Sequence, residues 1–464
     1  MMYISTRGRA APAGFCDVLL SGLAPDGGLY LPAEWPRLSG EEIARISRLE
    51  FCDAAAEILA CFAGKEISAS LLREMAIAAY APFDAPEITP LRRLGGDDYL
   101  LELFHGPTLA FKDVAMRLLA QLYDWALEGA AKGKTIIGAT SGDTGGAAIA
   151  AFAGSEKSEV FMLHPKGKIS HVQRRMMTTI DADNIVNIAV EGTFDDCQRI
   201  VKNLFADASL NAKVDLGGVN SINWVRLAIQ TVYYFTASGA LDSPASFVVP
   251  TGNFGDVFAG YVAKRMGLPV NMLCVAVNEN DIMRRVIRSG VYRPASARQT
   301  SSPSMDIQVA SNFERLLFDA CERDAHALCA LMSAFEKDGE MTLGAAAAEK
   351  IAEEFAAERA DESEVAGKIR ALYEASGMLV DPHTAVGLVA LDKLRAARAV
   401  SGKAIALATA HPAKFPEAVE KACGVTPALP ERFKDLHARA ETLIEAPADA
   451  ASVRDIVLSR SRFV

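Results

Sequence analysis

The chain has 464 residues, half of them hydrophobic and 23% charged, which is enough to build several packing units around sizeable cores. Its net charge of −10 argues against nucleic acid as the main partner, because phosphate backbones select basic faces. No apolar run reaches the roughly 18 residues of a membrane span, and the start, MMYISTRGRAAPAGF, lacks a signal-type apolar core, so a soluble cytoplasmic protein is expected.

The first ninety residues carry helical patterns such as Glu41 to Gly64, then the turn-rich APFDAPEITP. That stretch, Ala81 to Pro90, sets a boundary between a mainly helical domain over 1–90 and a catalytic core over 91–464. Within the core, FHGPTLAFKD places Lys112 behind a Gly-Pro turn and after Leu109, Ala110 and Phe111. A buried ammonium is costly, so burial there favours the neutral amine, a nucleophile toward carbonyls. The alternative is a lysine whose stem packs while its head reaches water.

Next comes strand, glycine loop, helix. KTIIGAT (Lys134 to Thr140) reads as a buried strand, SGDTGG as a loop, AAIAAFAG as a helix and SEVFMLHP as the following strand. Ser141, Gly142, Asp143 and Thr144 sit in that loop, whose hydroxyls and N–H groups suit a substrate carboxylate; a plain turn is the alternative. A second unit starts at SFVVP (Ser246 to Pro250), followed by TGNFGD, a helix and the strand VNMLCVAVN. Two such units predict an α/β fold of two parallel-sheet lobes. Gly252, Asn253, Phe254, Gly255 and Asp256 lie between strand and helix, where backbone N–H groups and the helix dipole favour a phosphate. A turn capped by Asp256 is the other reading. The loop is neither a Walker A sequence nor GxGxxG, so ATP and NAD gain no support.

SARQTSSPSMD is a polar loop, and the Ala/Glu/Lys-rich stretch Phe335 to Gly377 predicts a solvent-facing helical layer. KAIALATAHP (Lys403 to Pro412) predicts one last strand. The eight cysteines form no CxxC pair and no zinc spacing, so reduced, mostly buried thiols and no metal are expected. An amine, a phosphate cradle and a carboxylate-type loop together match pyridoxal phosphate and an amino acid.

STRG, DGGLYLP, FHGPTLAFKD, ATSGDTGGAA, HPKGKIS, NSINWVRLAIQ, TGNFGD, SPSMDIQVASNFERLLF, DPHTAVG and ATAHPAKF follow one another in an order that resembles the threonine synthase family, in its longer bacterial and fungal form. The resemblance covers nearly the whole chain. It implies the tryptophan synthase β-like fold (PLP fold type II) and pyridoxal 5'-phosphate as cofactor. It implies a lyase that turns O-phospho-L-homoserine and water into L-threonine and phosphate, the last step of threonine biosynthesis. By motif, Lys112 matches the Schiff-base lysine, residues 252–256 the cofactor's phosphate loop, and Thr409 the hydroxyl at the pyridine nitrogen. Lys168, Asn223 and Arg226 are candidates for the substrate's phosphate, with Lys166 and Gln230 beside them; Arg can clamp a phosphate bidentately. His105, His383 and His411 receive no role. Related readings are a phospho-lyase that stops at a 2-oxo acid and a catalytically silent binding relative. A monomer or homodimer is expected.

Overall fold

The structure, a computed structural model, describes residues 1–464. Two sheets organise the chain. The larger has six strands in the spatial order Phe355–Arg359, Val270–Val277, Ala245–Pro250, Ala404–Ala408, Asp98–Glu102, Leu91–Gly95. Every neighbouring pair is parallel except the last, which is a hairpin. The smaller sheet orders Ile444–Pro447, Ile185–Glu191, Ser158–Pro165, Lys134–Ala139, Leu216–Gly217, all parallel. Ala245–Pro250 and Ala404–Ala408 are buried at every position, as expected for strands covered by helices on both faces. No helix is long and apolar enough to cross a membrane.

The lobes are not contiguous in sequence. The larger sheet gathers strands from both ends of the core, and the smaller recruits Ile444–Pro447 from near the C-terminus. The Glu41 to Gly64 pattern is helical as expected, in two helices, Gly40–Ile46 and Phe51–Ala63. Three sequence expectations are corrected. The expected helical layer is broken by the strand Phe355–Arg359, which pairs with Val270–Val277. Its sequence FAAER looks helical, but Phe355 is buried against Phe254 and Tyr261, with ring centroids 5.5 and 5.8 Å away. Packing therefore overrides propensity at the sheet edge. The strand after Lys403 is also not the last. All eight cysteines are free, but only Cys197 and Cys274 are buried.

The N-terminal helices share the main core instead of forming their own. Tyr3 and Phe62 pack on Trp224, at ring-centroid distances of 6.2 and 5.7 Å. Trp224 opens the helix Trp224–Gly239, which lies between the N-terminal region and the core. Arg315 reaches back to donate to the Tyr30 carbonyl at 2.9 Å.

Candidate active site

A cleft of about 1220 Å³ opens where strands of both sheets end. Its walls include the residues that follow Ala139, Pro165, Pro250 and Ala408, each the last residue of a parallel strand. That is the usual binding place of an open α/β sheet, since the loops there are free to vary while the strands hold them. No residue before Phe111 lines it.

Lys112 begins the helix Lys112–Ala126 and is 9% exposed. Its position depends on a distant segment. Phe111 N–H donates to the Thr409 carbonyl at 2.8 Å, and His411 N–H donates to the Leu109 carbonyl at 3.0 Å. This short pairing brings Lys112 and Thr409 into one cleft. Lys112 Nζ lies 3.5 Å from Asp143 Oδ2 and 4.6 Å from the centre of the Phe111 ring. Burial depresses its pKa against the pull of Asp143, and the charges of Lys414 and Arg226 add to the depression. The site thus makes the neutral amine accessible.

The loop after Ala139 divides its work. Ser141 and Thr144 line the cleft. Gly142 does not; it has φ 137°, and a Cβ there would sit 2.6 Å from Gln173 Nε2. Glycine at this position lets Gln173 reach Asp143 Oδ1 at 2.9 Å. The N–H groups of Gly142 and Gly145 are both taken by Thr140 Oγ1 at 2.9 Å. Hydroxyls, rather than those amides, are what this loop presents. Asp143 is committed to cations: Lys414 Nζ lies 2.6 Å from Oδ1 and Lys112 from Oδ2. Despite the desolvation cost, those charges hold its carboxyl well below the ordinary range. Asp143 lines the cleft, but its carboxylate is engaged as a buried counter-ion, so it offers a substrate carboxylate no favourable contact.

The loop 251–256 precedes the helix Gly255–Met266. Its carbonyls anchor it: Asn312 donates to the Asn253 oxygen through both N–H (3.2 Å) and Nδ2 (3.1 Å). The amides of Gly252, Asn253, Phe254, Gly255, Asp256 and Val257 make no hydrogen bond within the protein, while all six residues line the cleft. A run of free N–H groups at a helix start is a cradle for a phosphate. Phe254 holds φ 65° there, its ring packed on Phe313 and Phe355. Asp256 does not oppose an anion as its sequence position suggests. Its Oδ1 accepts from the hydroxyls of Tyr233 and Tyr234, and burial pushes its pKa up to about 6.

Arg226 is 3% exposed and lines the cleft with no carboxylate partner. Nη1 donates to the Val219 carbonyl at 3.0 Å, and Nε has no partner. An unpaired buried guanidinium is rare, and its chemistry asks for an anion. Lys168 is exposed at the cleft's edge. Asn223 is elsewhere: its Oδ1 caps the helix at Val225 N–H (3.0 Å) and its Nδ2 donates to the Leu19 carbonyl (2.9 Å). The expected phosphate contact from Asn223 is therefore corrected; both ends of its amide are used, and it does not line the cleft. Lys166 is also turned away, paired with Glu191 and Glu445.

Sequence reading missed Lys414, Gln173, Ser304 and the buried pair His383–Asp381. His383 Nδ1 lies 2.6 Å from Asp381 Oδ2, and Nε2 accepts the Ser304 N–H at 3.2 Å, so the ring proton sits on Nδ1. Ser304 Oγ in turn lies 3.2 Å from Asp143 Oδ2. Lys414 and His383 fall in quoted motifs, but nothing in the motifs reveals that they are buried around one carboxylate.

The residues present fit pyridoxal phosphate on structural grounds: a desolvated lysine for the aldehyde, six free amides for the phosphate, and the buried Thr409 for the ring. Residues 83–347 match the profile of the family described as "Pyridoxal-phosphate dependent enzyme". Two further profiles flank it, "Threonine synthase N terminus" at 2–80 and "Threonine synthase, C-terminal" at 384–457. The chain is 45% identical over 461 residues to the threonine synthase of Pseudomonas aeruginosa, covering 98% of each. It is similar to the crystal structure of PLP-bound threonine synthase from Brucella melitensis, with 47% identity, TM-score 0.96 and 100% of each chain covered. Against the yeast threonine synthase structure the values are 37% and 0.94, with 99% of this chain and 98% of that one covered. Fold and cleft define a fold-type-II enzyme whose cofactor is pyridoxal 5'-phosphate. Within that class the chain belongs to the threonine synthase family.

Proposed function

We propose that this chain is a lyase that converts O-phospho-L-homoserine and water to L-threonine and inorganic phosphate. One observation carries the reading beyond family membership. The cleft presents two kinds of anion-binding group beside one buried amine: the free amides of 252–257 and the guanidinium of Arg226, which meets no carboxylate. Two phosphates, one on the cofactor and one on the substrate, account for both.

Pyridoxal phosphate, when bound, supplies an electron sink for charge that develops at the substrate's Cα. The chain's residues supply the rest. The amides of residues 252–257 would hold the cofactor's phosphate, and the Thr409 hydroxyl would serve its ring nitrogen. A neutral hydroxyl there would not favour a protonated nitrogen as a carboxylate would. Arg226 holds the substrate's phosphate, with Lys168 drawing the dianion toward the opening. Ser141 and Thr144 take the substrate's carboxylate. Lys112 holds the cofactor and moves the proton at Cα. A proton must also leave Cβ, because phosphate departs from Cγ, and the same amine is placed for that transfer. Asn223 contributes at a distance, by capping the helix that carries Arg226. Residues 1–90 act as a buttress on that helix, against the catalytic core of 91–464.

The test is product analysis. Purified protein with pyridoxal phosphate and O-phospho-L-homoserine should release threonine in step with phosphate, and Lys112→Ala should abolish both. Phosphate with 2-oxobutyrate in place of threonine would refute the reading and indicate a phospho-lyase.

A further inference from the structure

Behind the cleft wall lies a second buried lysine that the reaction above does not use. Lys414 is 1% exposed and does not line the cleft. Its Nζ lies 2.6 Å from Asp143 Oδ1 and donates to the Thr108 carbonyl at 2.7 Å. Lys112 approaches the other oxygen of the same carboxylate at 3.5 Å. The contacts are unequal. The nearer lysine has no access to a ligand, and the farther one faces the cleft. Gln173 Nε2 at 2.9 Å and Ser304 Oγ at 3.2 Å complete the shell around Asp143. A single carboxylate therefore serves two ammonium groups, and with all three side chains largely buried the screening by water is weak.

We propose that Lys414 is a positioning residue that engages Asp143 and so limits the hold of that carboxylate on Lys112, leaving the Lys112 amine able to give up its proton.

The chemistry needs some such device. Asp143 facing Lys112 alone would favour the ammonium, which is neither nucleophile nor base. Removing the carboxylate would leave three cations, Lys112, Lys414 and Arg226, crowded without a counter-ion. The arrangement seen avoids both. Lys414 supplies a fixed positive charge on the far side of Asp143, and its cationic field opposes protonation of Lys112. The other charged groups facing Lys112 are Arg226, which acts in the same direction, and Asp256, which acts against it but is turned onto Tyr233 and Tyr234. His383 faces Asp143 rather than Lys112. The turn before Lys112 is also fixed by this lysine, through Thr108. A purely structural role, tying that turn down, is the competing explanation, and it makes no prediction about the protonation of Lys112.

The experiment reads Lys112 directly. The protein is stripped of cofactor with hydroxylamine, its fold is checked by circular dichroism, and acetic anhydride labelling of the Lys112 peptide is followed by mass spectrometry from pH 6 to 11. In Lys414→Met the labelling midpoint should move up by about one pH unit or more, so that labelling below the midpoint slows about tenfold. Lys414→Arg, which keeps the charge, should restore it. Asp143→Asn should move the midpoint down, and it serves as a second variant should Lys414→Met fail to fold. In the holoenzyme the acid limb of the pH–kcat profile should shift in the same directions. A midpoint unmoved in Lys414→Met, or in Asp143→Asn where Lys414→Met does not fold, would overturn the proposal and leave Lys414 a structural tie. The proposal rests on the reading of Lys112 as the cofactor's lysine. Borohydride reduction of the holoenzyme tests that reading separately, by marking whichever lysine holds the cofactor.

Discussion

Arg226→Met is expected to make the protein more stable and the enzyme worse. The guanidinium is 3% exposed, has one hydrogen bond to a backbone carbonyl and meets no carboxylate. Burial pushes its pKa from 12.5 down to about 10, which corresponds to about 3 kcal/mol of lost solvation for the charged form. Methionine has a similar length, no charge, and an adaptable shape that suits the space left by the arginine stem. Part of that 3 kcal/mol should be recovered, about 1–3 kcal/mol, as when a buried ionic group is replaced by apolar packing. In a chain of this length, with about 1 kcal/mol/K of unfolding entropy, that is a rise in Tm of about 1–3 °C. The same change should remove the charge-assisted contact proposed for the substrate's phosphate, at a cost of about 2–4 kcal/mol. O-phospho-L-homoserine should then bind roughly 30- to 1,000-fold more weakly. Thermal denaturation with bound cofactor gives the first quantity, and KM together with inhibition by inorganic phosphate gives the second. The visible absorbance of the cofactor should be unchanged. A lower Tm with unaltered KM would refute the reasoning, since Arg226 would then be a structural cation. Loss of cofactor colour at unaltered substrate affinity would move its anion from the substrate to the cofactor.

Other predictions follow from the glycine loop and its aspartate. Gly252→Ala places a methyl 2.6 Å from the Ser304 carbonyl oxygen and 3.1 Å from Ile307 Cδ1, so the loop 303–307 must move; a loss of about 1–3 kcal/mol and at least tenfold weaker pyridoxal phosphate binding by fluorescence titration are expected. An unchanged cofactor affinity would show that the backbone there does not approach the ligand. Asp256 has its pKa raised to about 6, so its neutral form is favoured by folding: the stability this contributes is full below the ordinary carboxylate value and is lost as pH rises through about 6. Asp256→Asn should therefore change Tm little at pH 4 and raise it at pH 8, with a ceiling of about 3 kcal/mol; a gain that is the same at both pH values would contradict the assignment.

What the sequence disclosed, and what it concealed, follow from the range of the interactions involved. The Lys112 turn and both glycine loops are local devices, in which a few adjacent residues dictate strand, turn and helix start, and the structure carries each of them. FAAER at 355–359 is misread because its helical composition is local while its strand pairing with Val270–Val277 is not. Asn223 is misplaced for a related reason. A polar residue before an apolar helix suits a ligand or a cap equally, and only the position of the Leu19 carbonyl decides.

The cleft itself is the extreme case. Asp143, Lys112 and Lys414 are brought together by the pairing of 109–111 with 409–411, across some three hundred residues, and by the close approach of helix His171–Thr178 through Gly142. Sequence shows that Lys112 has apolar neighbours, which raises a desolvated amine beside the alternative of a lysine whose head reaches water. It does not show which carboxylate the amine meets, nor that a second lysine competes for it. Desolvation alone would lower the basicity of Lys112 without limit to its environment; a lone buried aspartate would cancel the effect. The balance is set by Lys414, a residue that contacts no ligand, and it is in that balance that a lysine suited to surface solvation becomes one suited to proton transfer.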